Sequence, residues 1–143
     1  MHVRIKRVDT GLPLPAYQTT GAAAFDVYSR TDLVVEPHTL ARIPTNLVIE
    51  TPPGHVLMIA SRSGLPGKKG LIIPHGFGII DSDFCGDNDE ILFQVYNITA
   101  EPVTVTRGER LGQGMFVPIQ TPSWNEVSTM NRENRGGFGS TGS

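Results

Sequence analysis

Apolar and β-branched residues recur along the chain in short runs, at positions 3–8, 25–28, 33–35, 47–49, 56–60, 71–73, 77–80, 91–96, 103–105 and 111–117. Turn formers separate them, among them Pro52-Pro53-Gly54, Pro66-Gly67 and Arg107-Gly108-Glu109. No Pro- and Gly-free stretch of about eleven residues carries apolar positions at i, i+3, i+4 and i+7, the spacing an amphipathic helix needs. The pattern predicts an all-β chain of about ten short strands in an antiparallel sandwich or barrel, with little helix. No repeat or linker divides the 143 residues, a length that suits one domain.

The pattern breaks after Pro122. From Asn131 onward Phe138 is the only large apolar residue, set in NRGGFGSTGS. Ordering such a tail costs roughly 1 to 2 kcal/mol per residue, against about 2 to 3 kcal/mol from burying one Phe. A β domain over 1–130 and a flexible segment over 131–143 are therefore expected. The segment is either a frayed end or a lid that orders when a ligand supplies contacts. Trp124 reads as a packing residue.

Charge narrows the partners. Twelve basic and fourteen acidic side chains leave a formal charge of −2, which favours neither nucleic acid nor an anionic membrane. The N-terminal MHVRIKRVDT has no apolar signal core, and no run approaches the ~18 residues a membrane span needs. With Cys85 the single cysteine, a reducing compartment is compatible, and a cytoplasmic location is expected.

Four stretches carry candidate chemistry. In GAAAFDVYS, small residues bring the backbone close and Asp26 lies in an otherwise apolar strand, where a turn or solvent residue is the plain alternative. In SRSGLPGKKG, Arg62 can fork two N–H donors onto a phosphate, Ser63 adds a hydroxyl, and Gly64 lets backbone N–H groups approach an anion. The spacing is not that of a P-loop, and a basic β-turn is the plain alternative. In GIIDSDFCGDNDE, an EF-hand register begun at Asp81 would place Cys85 and Leu92 where oxygen ligands belong, which excludes it. Asp81 instead follows Ile79-Ile80 at the expected edge of a buried strand, a setting that can raise a carboxyl pKa enough for general-base work. In RGERLGQGMF, Gln113 is an amide within an apolar strand, whose partner is either backbone or a ligand phosphate. The four histidines have no zinc-ligand spacing.

Taken in order, these stretches and the terminal GFGSTG resemble the five motifs of the trimeric dUTPase family, deoxyuridine triphosphate nucleotidohydrolases, from Gly21 to Gly142. The resemblance implies a β jelly roll and a homotrimer whose active sites are shared between subunits, with the C-terminal motif closing over a neighbour's site. It implies dUTP as substrate and Mg²⁺ as cofactor. Asp26 would help hold the Mg²⁺ hydration shell, while Arg62, Ser63, Gly64 and Gln113 would bind phosphates. The backbone at Ile79 and Ile80 would read uracil, and Asp81 would activate the attacking water. Phe138 would stack on the base, and Gly139, Ser140 and Thr141 would approach the phosphates. The products would be dUMP, a precursor for thymidylate, and pyrophosphate, and uracil would be kept out of DNA.

Four features depart from the family pattern. Phe84 stands where Tyr is usual against the deoxyribose, and His75 where bacterial members often carry Asn near the base. Asp87-Asn88-Asp89 is a three-residue insertion. Glu133 occupies the place of the arginine for the γ-phosphate, so Arg132 or Arg135 would have to serve. A dCTP deaminase on the same jelly roll, and a binding module without catalysis, are the competing readings.

Overall fold

The computed structural model describes residues 1–137. Eleven strands form, all paired antiparallel: β1 (Ile5–Arg7), β2 (Phe25–Tyr28), β3 (Leu33–Val35), β4 (Leu40–Pro44), β5 (Leu47–Ile49), β6 (His55–Ser61), β7 (Leu71–Ile72), β8 (Gly78–Ile80), β9 (Leu92–Asn97), β10 (Val103–Val105) and β11 (Arg110–Pro118). Each of the ten apolar runs yields a strand. The sequence pattern passed over β4, whose residues LARIP expose Leu40 and Arg42 and bury only Ile43 fully. The one helix among the described residues, α1 (Leu65–Lys69), stands where a basic turn was the alternative. Pro66 near its start fixes φ, and Gly70, left-handed at φ 65°, ends it by donating its N–H to the Pro66 carbonyl at 2.8 Å.

The strands form sheets ordered β2-β11-β6-β8, β4-β9-β7, β1-β5 and β10-β3. Phe25, Val27, Ile43, Leu57, Phe93, Val95 and Leu111 close the core between them. The long strand β11 runs between β2 and β6, and two buried glycines, Gly112 and Gly114, let it pass against the rings of Phe93 and Phe25. The glycines flank Gln113, so the packing of this strand and the placement of that amide are one problem.

Beyond Pro118, residues 119–137 form no strand or helix and are exposed throughout. Trp124 is 94% exposed, contrary to the packing role expected of it, because it lies past the last strand that contributes to the core. No helix among the described residues is long and apolar enough to cross a membrane.

Candidate active site

The antiparallel register assembles the first group of candidate residues. Gln113 on β11 sits opposite Asp26 on β2 and Ala60 on β6. Its amide donates to the Ser61 carbonyl at 3.3 Å, the backbone partner that was one of its two expected fates. Asp26, only 6% exposed, receives Arg62 Nε on Oδ1 at 3.3 Å and Arg110 Nη1 on Oδ2 at 3.1 Å. A buried carboxylate flanked by two guanidinium groups is compensated, and it holds Arg62 by its inner Nε and Arg110 by one terminal nitrogen. Arg62, Ser63, Gly64 and Arg110 border a cavity of about 430 Å³, lined also by Lys68, Lys69 and Glu109. It is concave, basic and open to solvent, which suits a polyanion.

Arg110 and Lys68 belong to this group and were passed over in the sequence. Arg110 stands in RGERLGQGMF, yet only the pairing of β11 with β2 brings it to Asp26.

The second group surrounds β8. Ile79, Ile80, Asp81 and Phe84 line a separate cleft of about 340 Å³ together with Arg42, Glu90 and Gln94. Ile79 is 52% and Phe84 40% exposed. Asp81 is exposed as well, because β8 is the outer strand of its sheet and not the buried strand expected. One chain alone therefore does not supply the desolvation that activating Asp81 as a base would use. His75 lines an adjoining recess that shares Ile80, Leu92 and Gln94 with this cleft.

Two ion pairs tie down the loop between β8 and β9. Arg30 makes a bidentate pair with Glu90 at 2.8 and 2.9 Å, and Glu90 also accepts the Asn46 N–H at 2.7 Å. The hydrogen bond to Glu90 holds the Arg30 guanidinium above its ordinary pKa. The inserted residues form a tight turn in which Asp89 Oδ2 accepts the Gly86 N–H at 2.7 Å. Lys6 on β1 grips Asp87 through its backbone carbonyl and its carboxylate, at 2.8 and 2.9 Å, and this keeps the Asp87 pKa below the usual range.

The two groups lie toward opposite ends of β6. Ile80, just before Asp81, pairs with Leu57, whereas Arg62 follows Ser61 at the far end. Five residues of strand separate those positions by roughly 17 Å. Arg132 and Arg135 are exposed and line neither cavity, while Phe138, Gly139, Ser140 and Thr141 lie outside the described residues.

For a metal, the described residues contain no group of three or more His, Cys, Asp or Glu side chains that could hold an ion. Both oxygens of Asp26 already face arginine. A resident, directly ligated metal does not fit.

The dUTPase family model matches residues 10–142. A deoxyuridine 5'-triphosphate nucleotidohydrolase of Desulfitobacterium hafniense is 40% identical, covering 95% of this chain and 91% of its own length. That of Anaplasma marginale is 37% identical over 99% of both chains. The crystal structure of dUTPase from Streptococcus mutans, 28% identical, covers 84% of this chain and 98% of its own with a TM-score of 0.77. Such coverage accounts for the jelly-roll architecture, and the chain belongs to the dUTPase family.

Proposed function

We propose that this chain hydrolyses dUTP to dUMP and pyrophosphate, supplying dUMP and removing dUTP before it reaches DNA, and that it works in the cytoplasm. The observation that carries the reading is the pair of half-sites, a basic cradle around Asp26 and an apolar cleft with a carboxylate at its rim. The Arg62 and Arg110 guanidinium groups, held by Asp26, bind the phosphates beside Ser63, the backbone of Gly64 and the Gln113 amide. Mg²⁺ enters as part of the substrate, as Mg·dUTP; Asp26 meets its hydration shell through water.

The backbone at Ile79 and Ile80 pairs with the uracil edge, and His75 lies beside the base. Cytosine presents the opposite donor and acceptor there, leaving buried groups unpaired at about 1 to 3 kcal/mol each. The Phe84 ring fills the space that a ribose 2'-hydroxyl would need. Asp81 accepts a proton from a water as that oxygen bonds to the α-phosphorus; the bond to the bridging oxygen breaks, and pyrophosphate leaves with its electron pair.

A homotrimer with shared sites agrees with the roughly 17 Å between half-sites and with the exposed apolar rim of Ile79, Phe84 and Leu92. A neighbouring subunit and the nucleotide would cover that rim and supply the desolvation Asp81 lacks in one chain. Residues 131–143 then act as a lid over the 1–130 domain, with Phe138 on the base, Gly139, Ser140 and Thr141 at the phosphates, and Arg132 or Arg135 at the γ-phosphate. Incubation with dUTP and Mg²⁺ should give dUMP and pyrophosphate in equal amounts, and absence of both at stoichiometric enzyme refutes the reading. Asp81→Asn should bind the nucleotide and barely turn it over; retained turnover removes Asp81 as the base.

A further inference from the structure

We infer that Lys68 is a phosphate-binding residue, the cation this chain keeps uncommitted for the polyphosphate of its substrate; the inference rests on the reading above. Four cations line the basic cavity. Arg62 and Arg110 are both engaged by Asp26. Lys69 is engaged by Glu109 at 2.8 Å and by the Thr104 carbonyl at 2.6 Å. Among the described residues, Lys68 alone of the four has no carboxylate and no side-chain hydrogen bond.

Its position is set by local structure. Lys68 lies on α1, where its backbone N–H donates to the Gly64 carbonyl at 3.0 Å. The side chain folds back over Gly64, so that a methyl group built there would meet Cδ and Cε at 3.5 Å and Nζ at 3.9 Å. The ammonium therefore sits over the glycine whose missing side chain opens the backbone to an anion. An ammonium is a compact point charge with three rotatable donors that can follow a phosphoryl oxygen, and its positive charge is the feature the contact uses. Arg62 and Arg110 form a fixed wall, and Lys68 the adjustable contact beside it.

The test compares full-length wild type, Lys68→Ala and Lys68→Arg, measuring the Kd of a non-hydrolysable α,β-imido dUTP with Mg²⁺ by calorimetry and the melting temperature of each protein. Lys68→Ala should weaken the analogue about 5- to 20-fold, the range for a charge-assisted hydrogen bond discounted for solvent exposure. Lys68→Arg should recover most of the loss, with melting temperatures equal. An alanine Kd within twofold of wild type, or a loss that arginine does not restore at equal melting temperature, overturns the inference. Wild-type binding and dUTP turnover in the same series separate the two claims: inactive wild type refutes the proposed function, while active wild type with an unchanged Lys68→Ala refutes only the role of Lys68.

Discussion

Gly112→Ala should damage both the fold and the site, because the same strand serves both. An added methyl would lie 2.5 Å from Phe93 Cε2, 3.0 Å from Phe93 Cδ2 and 2.9 Å from the Ala60 carbonyl oxygen. Ordinary carbon contacts begin near about 3.5 Å, so the overlap with the ring is about 1 Å. Phe93 is 2% exposed and has little room to rotate away. The Ala60 oxygen is backbone, and moving it means parting β11 from β6. Overpacking of this kind costs about 1 to 3 kcal/mol, and the backbone contact puts the substitution near the upper figure. For a chain of this length, that corresponds to a melting temperature lower by roughly 6 to 12 °C. A strand displacement of about 1 Å also carries the Gln113 amide and Arg110 beyond hydrogen-bond distance of Ser61 and Asp26, so nucleotide affinity should fall too. Thermal unfolding by circular dichroism at fixed protein concentration, with calorimetry on α,β-imido dUTP, reads both effects. Gly67→Ala is the control: an added methyl there meets nothing within 4 Å, and alanine in a helix is favoured over glycine by about 0.5 to 1 kcal/mol. A Gly112→Ala protein melting within about 2 °C of wild type and binding the analogue equally well would refute the packing argument.

Other outcomes follow from the ion pairs. Arg30→Met should cost about 3 kcal/mol, because it leaves the largely buried Glu90 carboxylate without its bidentate partner; denaturant unfolding measures it, and a loss under about 1 kcal/mol contradicts it. The Asp9 carboxyl, hydrogen-bonded by Arg107, and the Asp87 carboxyl, hydrogen-bonded by Lys6, both titrate below their ordinary 3.8. Because their folded-state values are depressed, their contribution to stability is present above pH 3.8 and is lost as pH falls through the folded values. Lys6→Ala should flatten that acid limb of the unfolding profile, and an unchanged slope in acid would count against the pairing.

The strands were legible because apolar and aromatic residues cluster where a short strand is buried on both faces, as in FDVY of β2 and LVI of β5. β4 escaped because a strand with one solvent face and a terminal proline carries too few apolar residues to register as a run. At the candidate site, the chemistry of Arg62, Ser63 and Gly64 is visible in the sequence, and the fold brings the three to one cavity. Arg110 was not, since its partner is 84 residues away and the meeting depends on how β11 pairs with β2. Asp81 shows the opposite limit: the apolar Ile79-Ile80 before it suggests burial, yet β8 is an outer strand whose cover, in the present account, comes from another chain.

The most direct test sets dUTP beside dCTP, dTTP and UTP with Mg²⁺, for the full-length protein and for a chain ending at Asn131. Turnover of dUTP alone by the full-length protein, with a severe loss on truncation, is expected. Comparable turnover of dCTP or UTP, or no dUMP from dUTP, would contradict it.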